Sequence, residues 1–243
     1  PTAVYLGLGV ELTRGSEYPG GRNEDNHAGE GIFVKVGGDL TPAASWQVGL
    51  SHYTTEFDVR QAGAHHHGGE ESLTDNELRD GEVDLSGLDL VFKWSPSGHA
   101  RERYLKLQAE AFKRDESGQA VFFEELNSAE ARYSGEQSGY YLQAIYQFAP
   151  RWRVGLRHDV LQADNSISRF VDNGIDEQEF LQESSIGEGD DDPSGWSGML
   201  DFSPSEYSRI RLQVGRLEVD DESYDSLTLQ YLMSLGAHGA HTY

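Results

Sequence analysis

The sequence predicts an all-β protein, an antiparallel up-and-down transmembrane β-barrel of about ten strands. Three observations predict it. Pro42, Pro96, Pro150 and Pro204 recur every 54 residues, each two residues after Leu40, Trp94, Phe148 or Phe202. That is the beat of a hairpin meander with short turns at one end and long connections at the other. Aliphatic and polar residues alternate along many segments, the period of a strand with two unlike faces. No run approaches the roughly 18 apolar residues of a membrane-spanning helix, whereas a barrel strand needs only every second residue to face lipid.

The strands are read in order. Val4, Leu6, Leu8, Val10 and Leu12 alternate with Tyr5, Gly7, Gly9 and Glu11, and the same rule fits 32–40 and 46–54. Leu88, Leu90, Phe92 and Trp94 stand against Asp89, Val91 and Lys93; Leu105, Leu107, Ala109 and Ala111 stand against Lys106, Gln108 and Glu110. Five more strands run through Leu142–Phe148, Trp152–Val160, Trp196–Phe202, Ile210–Val214 and Leu227–Leu235. An even number suits a closed antiparallel barrel. Helical periodicity arises only around Ile175 to Leu181. The connections 13–30, 60–81 and 164–194 are polar and far longer than the usual hairpin loop of about two to five residues.

Alternation alone fits both a soluble lipocalin-like barrel, aliphatic face inward, and a membrane barrel, aliphatic face toward lipid. Aromatic residues beside the short turns (Trp46, Trp94, Tyr104, Phe148, Trp152, Phe202, Tyr207) favour the membrane, because they stand where an interfacial girdle belongs. So do the long polar loops and the final segment, which ends on Tyr243. The 243 residues carry no linker or composition break and are read as a single domain, 1–243. No secretory signal stands before Pro1, as expected of a mature or trimmed chain. There are no cysteines, hence no disulfides or thiolate metal sites. The net charge of −23 argues against nucleic acid and favours cations as partners.

The segments 100–118, 140–165, 200–209 and 229–243 resemble a family of Gram-negative outer-membrane proteins, porin-like barrels associated with zinc supply. The last of these, Leu229-Gln-Tyr-Leu-Met-Ser-Leu-Gly-Ala-His-Gly-Ala-His-Thr-Tyr243 with its paired histidines, is the most specific. The resemblance implies location in the outer membrane, with short periplasmic turns and long extracellular loops, in contact with lipid and lipopolysaccharide. Relatives of this kind are longer, which implies that the chain is part of a larger barrel completed by an N-terminal remainder or by a homo-oligomer.

The chemistry expected of such a barrel lies in its loops and lumen. His65, His66 and His67 are followed by Glu70 and Glu71, imidazoles and carboxylates suited to Zn2+ or another divalent cation. Because neighbours in an extended backbone point oppositely, His65 and His67 with Glu70 or Glu71 form the plausible set; a solvated polar loop is the alternative. His238 and His241 make a second candidate pair, with a closing-seam role as the alternative, and His27 is a weaker third candidate. No further cofactor is implied. Acidic loop residues such as Asp190, Asp191 and Asp192 would gather cations at a pore mouth. Arg153, Arg157, Arg209, Arg211, Lys106, Glu110 and Asp89 are expected to line the lumen, the arginines as an anion-selective rung facing acids across a wide pore or as a salt-bridged plug in a narrow one. An enzyme is not expected, since His158 and Asp159 point to opposite faces and no nucleophile accompanies them. The function expected is assisted uptake or capture of divalent cations, zinc foremost; the alternative is a structural or adhesive barrel with a filled lumen.

Overall fold

The computed structural model describes residues 4–23, 29–61, 74–96, 102–124, 127–184, 192–219 and 222–234. Ten strands follow in chain order: β1 (Val4–Thr13), β2 (Gly29–Thr41), β3 (Ala44–Gln61), β4 (Thr74–Trp94), β5 (Tyr104–Glu124), β6 (Asn127–Ala149), β7 (Trp152–Asn173), β8 (Ser194–Ser205), β9 (Ser208–Val219) and β10 (Glu222–Met233). A helix, α1 (Glu177–Ser184), lies between β7 and β8. The strands form one sheet in which each pairs antiparallel with its sequence neighbours. Among the described residues β1 pairs with β2 and β10 with β9, and no pairing joins β1 to β10.

Register turns the alternation of the sequence into two faces. Trp46, Val48 and Leu50 stand opposite Phe92, Leu90 and Leu88, which stand opposite Leu107, Ala109 and Ala111. The row continues through Ala144, Leu142 and Tyr140 to Leu156, His158 and Val160. On this aliphatic face the large side chains are bare: Leu8 is 73% exposed, Leu156 54% and Leu229 75%. The buried core lies elsewhere. Phe57, Leu78, Val83, Ala120, Phe122, Ala129, Ala131 and Tyr133 form one cluster with Ile175 and Phe180, at the long-connection end of β3 to β7 and on the opposite, polar face.

Helix α1 belongs to that cluster. Gly174, at φ 104, takes a left-handed conformation that a side chain resists, and turns the chain out of β7. Asp176 then caps the helix, its Oδ1 accepting from the backbone N–H of Gln178 (3.0 Å) and Glu179 (2.9 Å). Phe180 reaches Phe122 and Phe170 edge-on, at centroid distances of 6.4 and 5.5 Å. The ring of Phe57 lies over Gly81, a contact that any side chain there would block.

Several expectations are corrected. The span 60–81 is not one loop, because β3 runs to Gln61 and β4 begins at Thr74; likewise β7 continues to Asn173. Of the four proline turns, Pro42–Ala43 and Pro150–Arg151 are two-residue connections, but Ser95-Pro96-Ser97 opens a longer one, since β5 begins only at Tyr104. Ser203-Pro204-Ser205 ends β8 within a register shift, and the turn falls at Glu206–Tyr207. Proline lacks the N–H a ladder needs, which suits it to an irregular strand end. The helix around Ile175–Leu181 and the count of ten strands agree with the sequence pattern.

Candidate functional site

The polar face carries the chemistry, arranged in tiers set by register. Nearest the short turns, Tyr104, Gln147, Arg153, Asp201, Arg211 and Gln230 stand side by side across β5 to β10. Asp201 is fully buried and gathers three guanidinium groups. Arg211 grips it twice, Nε to Oδ1 at 2.8 Å and Nη2 to Oδ2 at 3.0 Å. Arg153 approaches at 3.4 Å and Arg209 at 3.9 Å. Arg153 also donates to Tyr104 Oη and to Ser203 Oγ. Tyr104, expected in the aromatic girdle, therefore sits on the polar face, because the aliphatic parity of β5 belongs to Leu105.

Further along, Lys35, Gly49, Asp89, Glu110, Tyr141 and Asp159 form another tier across β2 to β7. Asp89 and Glu110 are directly opposed carboxylates. Arg157 pairs with Asp159 of its own strand, Nε to Oδ1 at 2.8 Å, and lies 3.9 Å from the Tyr141 ring centroid. Of the four arginines expected on the lumen face, as a rung or as a salt-bridged plug, three meet in one cluster. Arg153, Arg209 and Arg211 converge sideways on one acid, whereas Arg157 stands a tier away. Lys106 lines a cleft with Lys93, Asp39 and Tyr104.

At the long-connection end the polar face is closed over. Glu116 binds Arg60, and its Oε2 lies 2.6 Å from Arg114 Nη2; the three side chains are nearly buried. Arg114 passes the network on to Gln137 (3.0 Å), which donates to Asn165 (2.8 Å); Tyr133 also donates to Asn165 (3.0 Å). Residues 15–23 lie across this network. Tyr18 packs against Arg114 and Arg60 at 5.2 and 5.6 Å, Arg60 donates to Pro19 O at 2.6 Å, and the Arg22 N–H bonds Val59 O at 2.8 Å. Burial raises the Tyr133 phenol above its ordinary 10.0, reinforced by the charge of Glu116 and partly offset by the Gln137 hydrogen bond. The folded protein therefore keeps this proton to higher pH than the unfolded chain. The stability linked to it is intact below pH 10.0 and is lost as pH rises through the folded value. An ultraviolet titration of folded protein is expected to show a late-titrating phenol that Tyr133→Phe removes; an unchanged curve would contradict its burial.

On the aliphatic face a feature not read from the sequence emerges. His158 stacks 4.1 Å from Trp196 and 6.2 Å from Tyr140, an aromatic group at the opposite end from the short turns. Only pairing across β6, β7 and β8 brings the three together. Just beyond it the face turns charged: Lys113 bridges Glu136 at 3.0 Å and Asp115 at 3.2 Å, and His52 contacts Asp84 at 3.5 Å. His158 and Asp159 take opposite faces. The candidate metal residues His65, His67, Glu70, Glu71, His238 and His241 lie outside the described residues, as do His27 and Asp190 to Asp191.

No protein-family model matches the chain. It is similar to a protein of Aquifex aeolicus (strain VF5) described as uncharacterized, with 28% identity over 264 residues that cover all of this chain and 49% of that protein. The chain thus spans about half the length of the curated relative it matches.

Proposed function

We propose that this chain forms the wall of a porin-like β-barrel in the outer membrane of a Gram-negative cell and assists divalent cations, zinc foremost, to reach or cross that membrane. One observation carries the membrane part: along single strands the apolar parity inverts. On β6 the side chains of Phe148, Tyr146, Ala144, Leu142 and Tyr140 share a face with Ser138, Glu136, Ser134, Arg132 and Glu130, and that face changes from oily to polar at Ser138. The opposite face does the reverse, from Gln147, Gln143 and Tyr141, with Ile145 the one aliphatic residue among them, to the buried Tyr133, Ala131 and Ala129. β5 switches at Lys113 and β7 at Gln162. A strand that leaves hydrocarbon for water on its outer side is expected to invert in this way. The nine residues from Tyr140 to Phe148, at about 3.3 Å each and tilted about 40°, rise roughly 20–23 Å, close to the apolar band of about 25 Å in such barrels.

Inside hydrocarbon the outer edges of β1 and β10 need partners, because unpaired backbone is costly there. Further strands of the same barrel, or a second copy, supply them. The cation part rests on the net charge of −23 and on the loop residues His65, His67, Glu70 and Glu71, with His238 and His241 at the other end. Replacing His65, His66 and His67 together with alanine is expected to weaken zinc binding by calorimetry while heat-modifiable gel migration persists; equal affinity would remove the loop site. The reading of a structural barrel with a filled lumen draws support from residues 15–23 and α1, which pack on the polar face. Planar-bilayer recording separates the two: conductance supports transport, and silence supports the filled lumen.

A further inference from the structure

We propose that the arginine cluster around Asp201 is a binding site for a small oxyanion of the phosphate or carboxylate class, open toward the short turns. Three guanidinium groups share one carboxylate, leaving two positive charges uncompensated within the cluster. Arg211 is committed by its two bonds to Asp201. Arg209 is not: its approach to Asp201 is 3.9 Å, and its Nε is buried without a hydrogen-bond partner among the described residues. A guanidinium with unused donors in partial burial is an unfavourable arrangement unless an acceptor completes it.

Arg209 and Arg153 line the same cavity of about 430 Å3, within the roughly 300–1,000 Å3 typical of small-ligand sites. Its other walls include Ser203, whose hydroxyl accepts from Arg153, and Ser205 and Ser208, whose hydroxyls share one hydrogen bond of 2.8 Å and so leave one of the two free to donate to an oxyanion. Glu206 is the one carboxylate among the described lining residues, and its hydrogen bond to Tyr207 is the main cause that holds that phenol above its ordinary pKa. Asp201 acts as a positioning residue: buried beneath the cluster, it fixes Arg211 and draws Arg153 and Arg209 together. The forked guanidinium group recognises the paired oxygens of phosphate or carboxylate, and chloride offers no such match.

The site rests on the reading that the polar face borders water, and a bound anion would also change what passes it. A bare divalent cation moving from the tier of Asp89, Glu110 and Asp159 toward the short turns meets a net positive charge, two guanidinium groups set against the single carboxylate of Glu206; an oxyanion held there offsets it.

The experiment is calorimetric titration of the folded full chain with inorganic phosphate, in a sugar-headed detergent free of phosphate groups, against sodium chloride at matched ionic strength. Saturable phosphate binding, with no matching chloride signal, is expected. Arg209→Gln and Arg153→Gln are expected to weaken it at least tenfold while heat-modifiable migration is retained, and Lys93→Gln, in a separate cleft, to leave it unchanged. Phosphate heats that do not saturate, that equal those of chloride, or that survive in both arginine variants would overturn the site. Because titration needs no conductance, retained phosphate binding in a protein silent in planar bilayers would remove transport and keep this site.

Discussion

Leu212→Arg is expected to destabilise the protein folded in lipid by roughly 2–4 kcal/mol if the aliphatic face meets the bilayer as proposed, the cost of a cationic side chain near the midplane of such a wall. Leu212 lies between Ile210 and Val214 on the aliphatic face of β9, with Leu200 on one side and Leu229 on the other. The same charge one residue on, Gln213→Arg, is expected to leave stability nearly unchanged, because that side chain belongs to the polar face. Guanidinium unfolding in lipid vesicles reads both. Equal losses would show that the faces have been assigned to the wrong surroundings, and two neutral results would remove the bilayer from the account.

Glu116→Ala is expected to cost roughly 3–5 kcal/mol, the penalty for leaving a buried partner charge uncompensated. The arithmetic is unfavourable twice over, since both Arg60 and Arg114 depend on this carboxylate while only 15% of either side chain is exposed. Arg60 also holds Pro19 and, with Arg114, packs on Tyr18. The substitution should therefore loosen residues 15–23 as well, seen as faster proteolysis within that segment at denaturant concentrations where the strands persist. The triple variant Glu116→Leu, Arg60→Leu, Arg114→Met is expected to recover most of the loss, because removing every charge avoids the unpaired state. A single variant as stable as the parent would mean that the charges are solvated rather than buried.

The part of this fold legible in the sequence is the part in which large aliphatics alternate with polar residues. Leu88–Trp94 and Leu142–Phe148 announce both their strand and their face. Beyond that band the pattern fades: the start of β4 and the end of β7 fall in spans that the sequence presents as loops, 60–81 and 164–194, and the apolar side of the neighbouring β5 and β6 is built from small or scattered residues, Ala129, Ala131 and Ala120 among them. A period of two survives there with reversed parity, in Glu130, Arg132, Ser134 and Glu136, and it is visible once the reversal is sought.

Other misses have local causes. Asp80, at φ 46, sits in a register shift of β4. Past it, Leu78 joins the core and its partner Arg60 turns toward Glu116. Alternation counted from Trp46 places Arg60 on the other face. The arginine cluster was half legible: the spacing of Arg209 and Arg211 assigns their face, but only register across β7, β8 and β9 shows that Asp201 lies between Arg153 and Arg211 while Arg157 does not join them.

In the membrane setting proposed above, the change of polarity near Lys113, Ser138 and Gln162 would also act as an anchor. Sliding such a sheet inward by one outward-facing position, about 6.6 Å along a strand, would drag Lys113, Ser138 and Gln162 into the oil together and bring Asp115, Glu136 and Asp164 to its edge, while sliding it outward would strip lipid from the aromatic residues beside the short turns. Neither movement is cheap, so a protein so inserted would ride at one depth. A membrane thicker or thinner than this wall would have to pucker to meet it, and the neighbouring lipids, rather than the protein, would carry that deformation.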